Sequence, residues 1–364
     1  MILVFRFTVL MIFLAVGASL DAGSGFEDAR PGRILAFPQD HGKHPGFQTE
    51  WWYFTGNLNS NGRLWGFQLT FFRRSMMKER VKRNSAWAVR DLYPAHFALT
   101  DISGRRFHHA EILSREGPGL AQASPQGLNV SVKDWSAQQH GDEIHIKARQ
   151  NGCALDLRLK PLKPLVLQGD HGFSRKGGTG EQASYYYSFT RLQAEGTVTF
   201  KGISHKVAGL AWMDHEFGSS ILLEDQAGWD WFSLQLDDGS EIMVFQLRKR
   251  DGSGERPFGT LVPAAGRPKS LEGRQIVISV TDVWTSSRTG ATYPSGWSVD
   301  IPSEKIRLTI APLFEDQELV ASKSTGVVYW EGAVKVNGSA NGLALRGRGY
   351  VELTGYAHSM AGRL

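Results

Sequence analysis

The feature that most narrows the folds open to this chain is that it repeats itself. Trp52-Tyr53, a hairpin turn and Phe67-Gln68-Leu69 reappear as Trp231-Phe232, an Asp237-Asp238-Gly239 turn and Phe245-Gln246-Leu247. The offset is 179 residues at the Trp and 178 at the Gln. A second pair follows in the same order. Glu195-Gly196-Thr197-Val198 with Gly202 matches Glu331-Gly332-Ala333-Val334 with Gly338. Trp212-Met213-Asp214 then falls opposite Tyr350-Val351-Glu352, allowing a two-residue insertion. Repeats on this scale imply two copies of one β-architecture rather than one large sheet, with the break near Ser219–Gly228.

Each copy reads as strands. Thr49–Gly56 and Leu64–Phe72 alternate around a Ser60-Asn61-Gly62 turn, whose residues supply the left-handed geometry of a hairpin. Further runs at Ala95–Asp101, Leu128–Trp135, Glu143–Arg149, Ala154–Leu159 and Tyr185–Leu192 are separated by Gly and Asn turns. The second copy continues with Gly228–Leu236, Glu241–Arg248, Gln275–Trp284, Trp297–Ile301, Arg307–Ile310 and Gly349–Gly355. Such even spacing indicates antiparallel barrels or sandwiches. The chain has 41 Gly and 11 Trp in 364 residues and few helix-forming runs, which fits tight turns around aromatic-lined interiors. Leu165 to Gly180 is weakly patterned and reads as a long loop over a barrel mouth.

Residues 1–22 have one basic residue, an apolar run and small residues at Ala18 and Ala22, the pattern of a secretory signal peptide. No Cys follows to carry a lipid anchor, so the expectation is a secreted or periplasmic protein. A linker over 23–35, a first barrel over 36–220 and a second over 228–364 complete the division. Cys153 is the lone cysteine, which excludes an intrachain disulfide and a Cys-based zinc site; it reads as a packed thiol. The net charge of +5 is modest. Its densest cluster, Arg73, Arg74, Lys78, Arg80, Lys82 and Arg83, reads as a solvated loop, and no nucleic-acid module is present.

The most chemical stretch is Val207–Gly218. On a strand, Leu210, Trp212, Asp214 and Glu216 share one face, while Ala211, Met213, His215 and Phe217 share the other. Two carboxylates two residues apart then lie roughly 7 Å from each other. Beside an apolar wall a carboxyl's charged form is disfavoured, so its pKa rises and it can act as an acid near neutrality. The structural alternative is a pair of acids that cap a turn or bind an Arg. Trp51, Trp52, Trp65, Trp212, Trp229 and Trp231 serve either as core filler or, together with the carboxylates, as the wall of an apolar-ligand cavity. His41 and His44 in a Pro/Gly loop lack helical i,i+4 presentation, and Asp214 and His215 point to opposite faces, so the expectation is no metal and no cofactor. Neither a G-x-S-x-G elbow nor a phosphate loop occurs.

Phe37-Pro-Gln-Asp40-His41-Gly42, Thr49-Glu50-Trp51-Trp52-Tyr53-Phe54-Thr55-Gly56, His96–Asp101 and Trp212–Gly218 resemble the AttH-like, carotenoid 1,2-hydratase (hydroxyneurosporene synthase) family, some of whose members are labelled secreted hydrolases. The resemblance implies an all-β chain of two consecutive lipocalin-like (calycin) barrels. It also implies a hydro-lyase in which Asp214, two residues after an aromatic, protonates a terminal alkene of an isoprenoid-like ligand. Aromatic faces would stabilise the cation, and Glu216 or His215 would orient water. Ligand contacts are expected from Glu50, Trp51, Trp52, Tyr53, His96, Tyr185, Tyr187, Trp212, Trp229 and Trp231. Upstream, Tyr185 and Tyr187 stand where the hydratases carry a His/Trp pair. Two other functions stay open: a non-catalytic carrier of hydrophobic ligands serving an ABC export system, and a secreted hydrolase.

Overall fold

The computed structural model describes residues 25–76, 89–176, 182–219 and 222–361. The expected signal peptide at 1–22, the basic residues from Lys78 to Arg83 and the C-terminal ends of both expected domains lie outside the described residues.

The first sheet contains β1 (Thr49–Ser60), β2 (Arg63–Ser75), β3 (Asp91–Asp101) and β4 (Arg106–Arg115), followed by β5 (Ala121–Ala123), β6 (Asn129–Val132), β7 (Trp135–His140), β8 (Glu143–Gln150) and β9 (Cys153–Pro161). It continues with β10 (Val166–Leu167), β11 (Phe173–Arg175), β12 (Ala183–Phe200) and β13 (Ile203–Gly218). The second sheet contains β14 (Gln226–Leu236), β15 (Glu241–Lys249), β16 (Phe258–Val262), β17 (Lys269–Glu272) and β18 (Val277–Thr285). Its remaining strands are β19 (Thr292–Ile301), β20 (Ile306–Pro312), β21 (Glu318–Ala321), β22 (Val327–Ala340) and β23 (Leu343–Thr354).

The two sheets have the same layout. The first runs β4-β3-β2-β1-β13-β12-β9-β8, then on through β7, β6 and β5; the second runs β17-β16-β15-β14-β23-β22-β20-β19-β18. In both, a four-strand meander meets the last strand of the copy along its first strand. The expected duplication is therefore visible in topology. All pairings are antiparallel, and the sheets curl into a barrel and a half-barrel of lipocalin-like form. Each encloses its own apolar core: Trp52, Phe54, Phe97, Trp135 and Met213 in the first, Phe232, Leu234, Trp297, Trp330 and Val351 in the second.

One equivalence changes. Trp52 faces the first core, whereas Trp231 belongs to a cluster at the seam between the sheets. Tyr53, opposite Asp214, is the residue that corresponds to Trp231, opposite Glu352. The two hairpins close differently, one through Asn61-Gly62 and the other through a longer loop after Leu236, and a slip of one residue moves every side chain to the other face. Glu195 is likewise exposed while Glu331 is buried. The pairing of Trp212 and Asp214 with Tyr350 and Glu352 is kept, with Trp212 and Tyr350 both in the seam cluster.

Two other expectations are corrected. Residues 165–176 do not form a free loop: β10 and β11 pair with β12. Arg73 is not solvated. It is 1% exposed, because its Nε reaches Asp91 at 3.0 Å and its Nη1 reaches Glu50 at 3.2 Å inside the first barrel.

Buried polar contacts fasten the sheets together. Glu241 of β15 is fully buried and takes ion pairs from Lys163, at 2.8 Å, and from Arg191. Gln235 Nε2 donates to the carbonyls of Thr190 and Ala211. Removing one partner of a buried pair leaves the other charges unmatched. Glu241→Ala should cost about 3 kcal/mol in urea-denaturation free energy, and a loss below about 0.5 kcal/mol would show that Lys163 and Arg191 find water instead.

Candidate active site

Alternation along β13 decides the site. Ala211, Met213 and Phe217 pack in the first core, so Trp212, Asp214 and Glu216 face the seam. There they meet Trp51 and Tyr53 of β1, Phe72 of β2, Tyr186 of β12, Trp229 and Trp231 of β14, Phe245 of β15, Tyr329 of β22 and Glu352 of β23. These residues enclose a cavity of about 150 Å³. A dry cavity of about that size holds one benzene-sized group, so it fits the end of a larger apolar molecule.

Asp214 is 4% exposed and held by three donors. Trp212 Nε1 and Ser188 Oγ donate to Oδ1 at 2.7 and 2.5 Å, and the Tyr186 hydroxyl donates to Oδ2 at 2.7 Å. Tyr186 in turn accepts from Trp231 Nε1 at 3.1 Å, so a second-sheet residue fixes the donor on a first-sheet acid. Burial pushes Asp214 up to about 7; the three donors pull it down and nearby Glu216 adds to the rise. Glu216 Oε1 accepts from Ser184 Oγ at 2.5 Å and pairs with Lys176 Nζ at 2.7 Å. That ammonium also sits 4.8–4.9 Å from the ring centres of Phe245 and Tyr186. On the opposite wall, Glu352 Oε2 accepts from Trp229 Nε1 at 3.0 Å. Burial, reinforced by the charges of Asp214 and Glu216, pushes Glu352 up to about 7. Its cross-strand neighbour Glu331 accepts from the Tyr53 hydroxyl and is raised well above the usual range, first by burial and then by Glu352.

The structure divides the expected residues into two groups. Asp214, Glu216, Trp51, Tyr53, Trp229 and Trp231 line the cavity, and Trp212 lies against Asp214. His96 is one layer back, bonded through Nδ1 to the hydroxyl of Tyr329 at 2.8 Å. Glu50, Trp52, Tyr185, Tyr187 and His215 are inside the first barrel instead. His215 Nε2 meets Glu50 Oε1 at 2.9 Å and its Nδ1 meets the Tyr187 hydroxyl at 3.0 Å, so it cannot orient water at Asp214. Tyr185 is tied to the backbone of Arg30. Trp52 stacks on His215 and donates to the His41 carbonyl.

Within that interior, His44, Glu50 and His215 bring ligand-type atoms within 4.8 Å of one another. They already satisfy each other, since His44 Nδ1 also meets Glu50 Oε1, at 2.7 Å. Burial opposes ionisation of Glu50, but the charge of His44 and the bonds from both imidazoles hold it well below the usual range. The Arg73 guanidinium on the same carboxylate would repel a cation. This is the chemistry of a hydrogen-bonded core that anchors the back of β13.

Sequence reasoning missed Tyr186, Ser188, Lys176, Glu331 and Glu352. Glu352 had a signal, its repeat equivalence to Asp214; Lys176 had none. The raised carboxyls also set a pH dependence. With Asp214 at about 7 folded and 3.8 as its ordinary value, the folded state holds the proton that the unfolded state has lost between those limits. Stability conferred by this group is therefore full below about pH 4 and is lost as pH rises towards 7. Wild type should lose up to about 4 kcal/mol more than Asp214→Asn over that interval, read from urea midpoints; parallel curves would contradict the raised value.

Comparisons with known proteins place the chain. An AttH protein of Nitrosomonas europaea is 38% identical, with a TM-score of 0.82 over 91% of this chain and 100% of that one. Kievitone hydratase of Nectria haematococca shares the fold, at 16% identity and a TM-score of 0.68 over 92% of this chain and 96% of that one. The dehydratase asqC of Emericella nidulans is 24% identical over 150 residues, 40% of this chain and 42% of that protein, so the match spans less than half of its length. The AttH-like family model matches residues 28–356, nearly the whole length, and the chain belongs to the AttH-like family.

Proposed function

We propose that the cavity takes the apolar, isoprenoid-like end of a small molecule and that Asp214 protonates its C=C bond, after which water adds to the cation. The observation that carries this reading is a carboxyl pushed up to about 7 against a wall of aromatic rings. Such a group holds its proton in about half of the molecules at pH 7 and can give it up. The rings of Trp51, Trp229, Trp231 and Tyr186 line the space where the cation would form, and an aromatic face carries the negative potential that stabilises one. The O–H bond of Asp214 breaks as a C–H bond forms, and water supplies the hydroxyl. Dehydration is the same path reversed, which accommodates both a hydratase and a dehydratase among the similar proteins.

A second reading, a carrier of hydrophobic ligands that serves an export system, is favoured by one observation. All three neighbours of Asp214 donate to it, an arrangement that also suits a fixed acceptor for a ligand's polar group. Asp214→Asn separates the two. With a prenylated phenol as probe, the hydratase reading expects turnover to fall roughly 10²–10⁴-fold while tryptophan-quenching affinity stays near wild type, and wild-type kcat/KM to decline as pH rises through about 7. Unchanged turnover, or binding without any turnover by wild type, favours the carrier.

The apolar leader at 1–22 supports a secreted or periplasmic location. Mass spectrometry of the exported protein should find the chain starting at Ser19 or Gly23. An intact Met1 on protein recovered from the cytoplasm would contradict it.

A further inference from the structure

We infer that Glu352, contributed by the second sheet, is the second catalytic carboxylate of this site: it takes the proton from the water that adds to the ligand. The inference rests on the acid role proposed for Asp214 and extends it to the opposite wall of the same cavity.

Three observations carry it. Glu352 occupies in β23 the place that Asp214 occupies in β13. Each lies on the closing strand of its sheet, each faces the seam, and each pairs across to an aromatic on the first strand of its copy, Tyr53 for Asp214 and Trp231 for Glu352. Both line the one cavity. The flanking groups are also exchanged between sheets. Trp231, beside Glu352, donates to the Tyr186 hydroxyl that holds Asp214. Tyr53, beside Asp214, donates to Glu331, the cross-strand neighbour of Glu352. The duplicated fold therefore brings two carboxyls to one apolar space and ties the surroundings of each to the other.

Two like groups in such a space do not ionise together. The pair therefore carries one proton; the three donors on Asp214 favour its charged form, and the proposed cycle starts with the proton on Asp214 and Glu352 ionised. Asp214 is clasped by three donors, Glu352 by Trp229. Glu352 is also half-buried while Asp214 is buried, which makes Glu352 the more open to arriving water.

The step balances. Asp214 O–H breaks and a C–H bond forms, leaving a carbocation and an ionised Asp214. Water oxygen then bonds to the cation as its O–H bond breaks, and that proton goes to Glu352. The pair holds one proton before and one after, and exchange with solvent restores the starting arrangement.

The test uses the full chain, a 3-methylbut-2-enyl phenol as probe and D2O buffer, following both hydration and deuterium entering the recovered alkene. Glu352→Gln keeps the acceptor for Trp229 and should lower hydration roughly 10²–10⁴-fold while deuterium exchange, which needs only Asp214, persists. It should also remove the acidic limb of the kcat/KM profile and leave the alkaline limb in place. Asp214→Asn should lose both hydration and exchange. Should Glu352→Gln hydrate within about threefold of wild type across the profile while Asp214→Asn is dead, this inference falls and the acid role stands. Should Asp214→Asn still hydrate, or wild type neither hydrate nor exchange the probe, the reading of the site itself falls.

Discussion

The account depends on side-chain alternation along one strand that has a partner on each face. β13 is hydrogen-bonded between β1 and β12, so its register is fixed from both sides. Its inner face is pinned by Met213 and Phe217 in apolar packing and by His215 on Glu50, a fully buried carboxylate that Arg73 also contacts. With the inner face committed, Asp214 and Glu216 have one place to go. They are carried to the seam, where the second sheet covers them with Trp229, Trp231 and Phe245.

That arrangement explains why the chain uses two sheets. The interior of the first barrel is filled by Trp52, Phe54, Phe97, Trp135 and Met213, so the open apolar space beside Asp214 lies on its outer face. A second curled sheet packed against the outer face creates a space that is apolar, enclosed and still open at its rim. The fastening is polar: Glu241 with Lys163 and Arg191, and Asn57 with the carbonyl of Gly349. These contacts specify orientation as well as adding stability, because each fits one relative placement of the sheets. Gly66 contributes by absence of a side chain, since a Cβ there would stand 2.6 Å from the Tyr350 hydroxyl of the other sheet.

Much of this was legible in the sequence, and the failures have physical causes. The all-β class and the facing of Trp212, Asp214 and Glu216 follow from period-2 patterning, which is local, and the duplication follows from motifs repeated about 178 residues apart. Tyr185-Tyr186-Tyr187 defeats it, because three identical residues carry no alternation. A bulge between Phe189 and Leu192 then inverts the parity that could be counted back from Leu192, Ala194 and Val198. Tyr186 therefore reaches the cavity while Tyr185 and Tyr187 turn inward. Alternation puts Glu50 and Trp52 on one face of β1, but which side of the sheet that face meets is a tertiary fact. Lys176 comes to Glu216 from a stretch with weak patterning, and no local signal marks it.

The claim on which the rest turns is that burial between the sheets makes Asp214 an acid that keeps its proton near neutrality. Carbon-detected NMR titration of the Asp214 side-chain carboxyl in the intact protein measures this directly. The account predicts a midpoint at about 7, whereas a midpoint near the ordinary value of 3.8 would mean that its three donors outweigh burial and that this group has no proton to give.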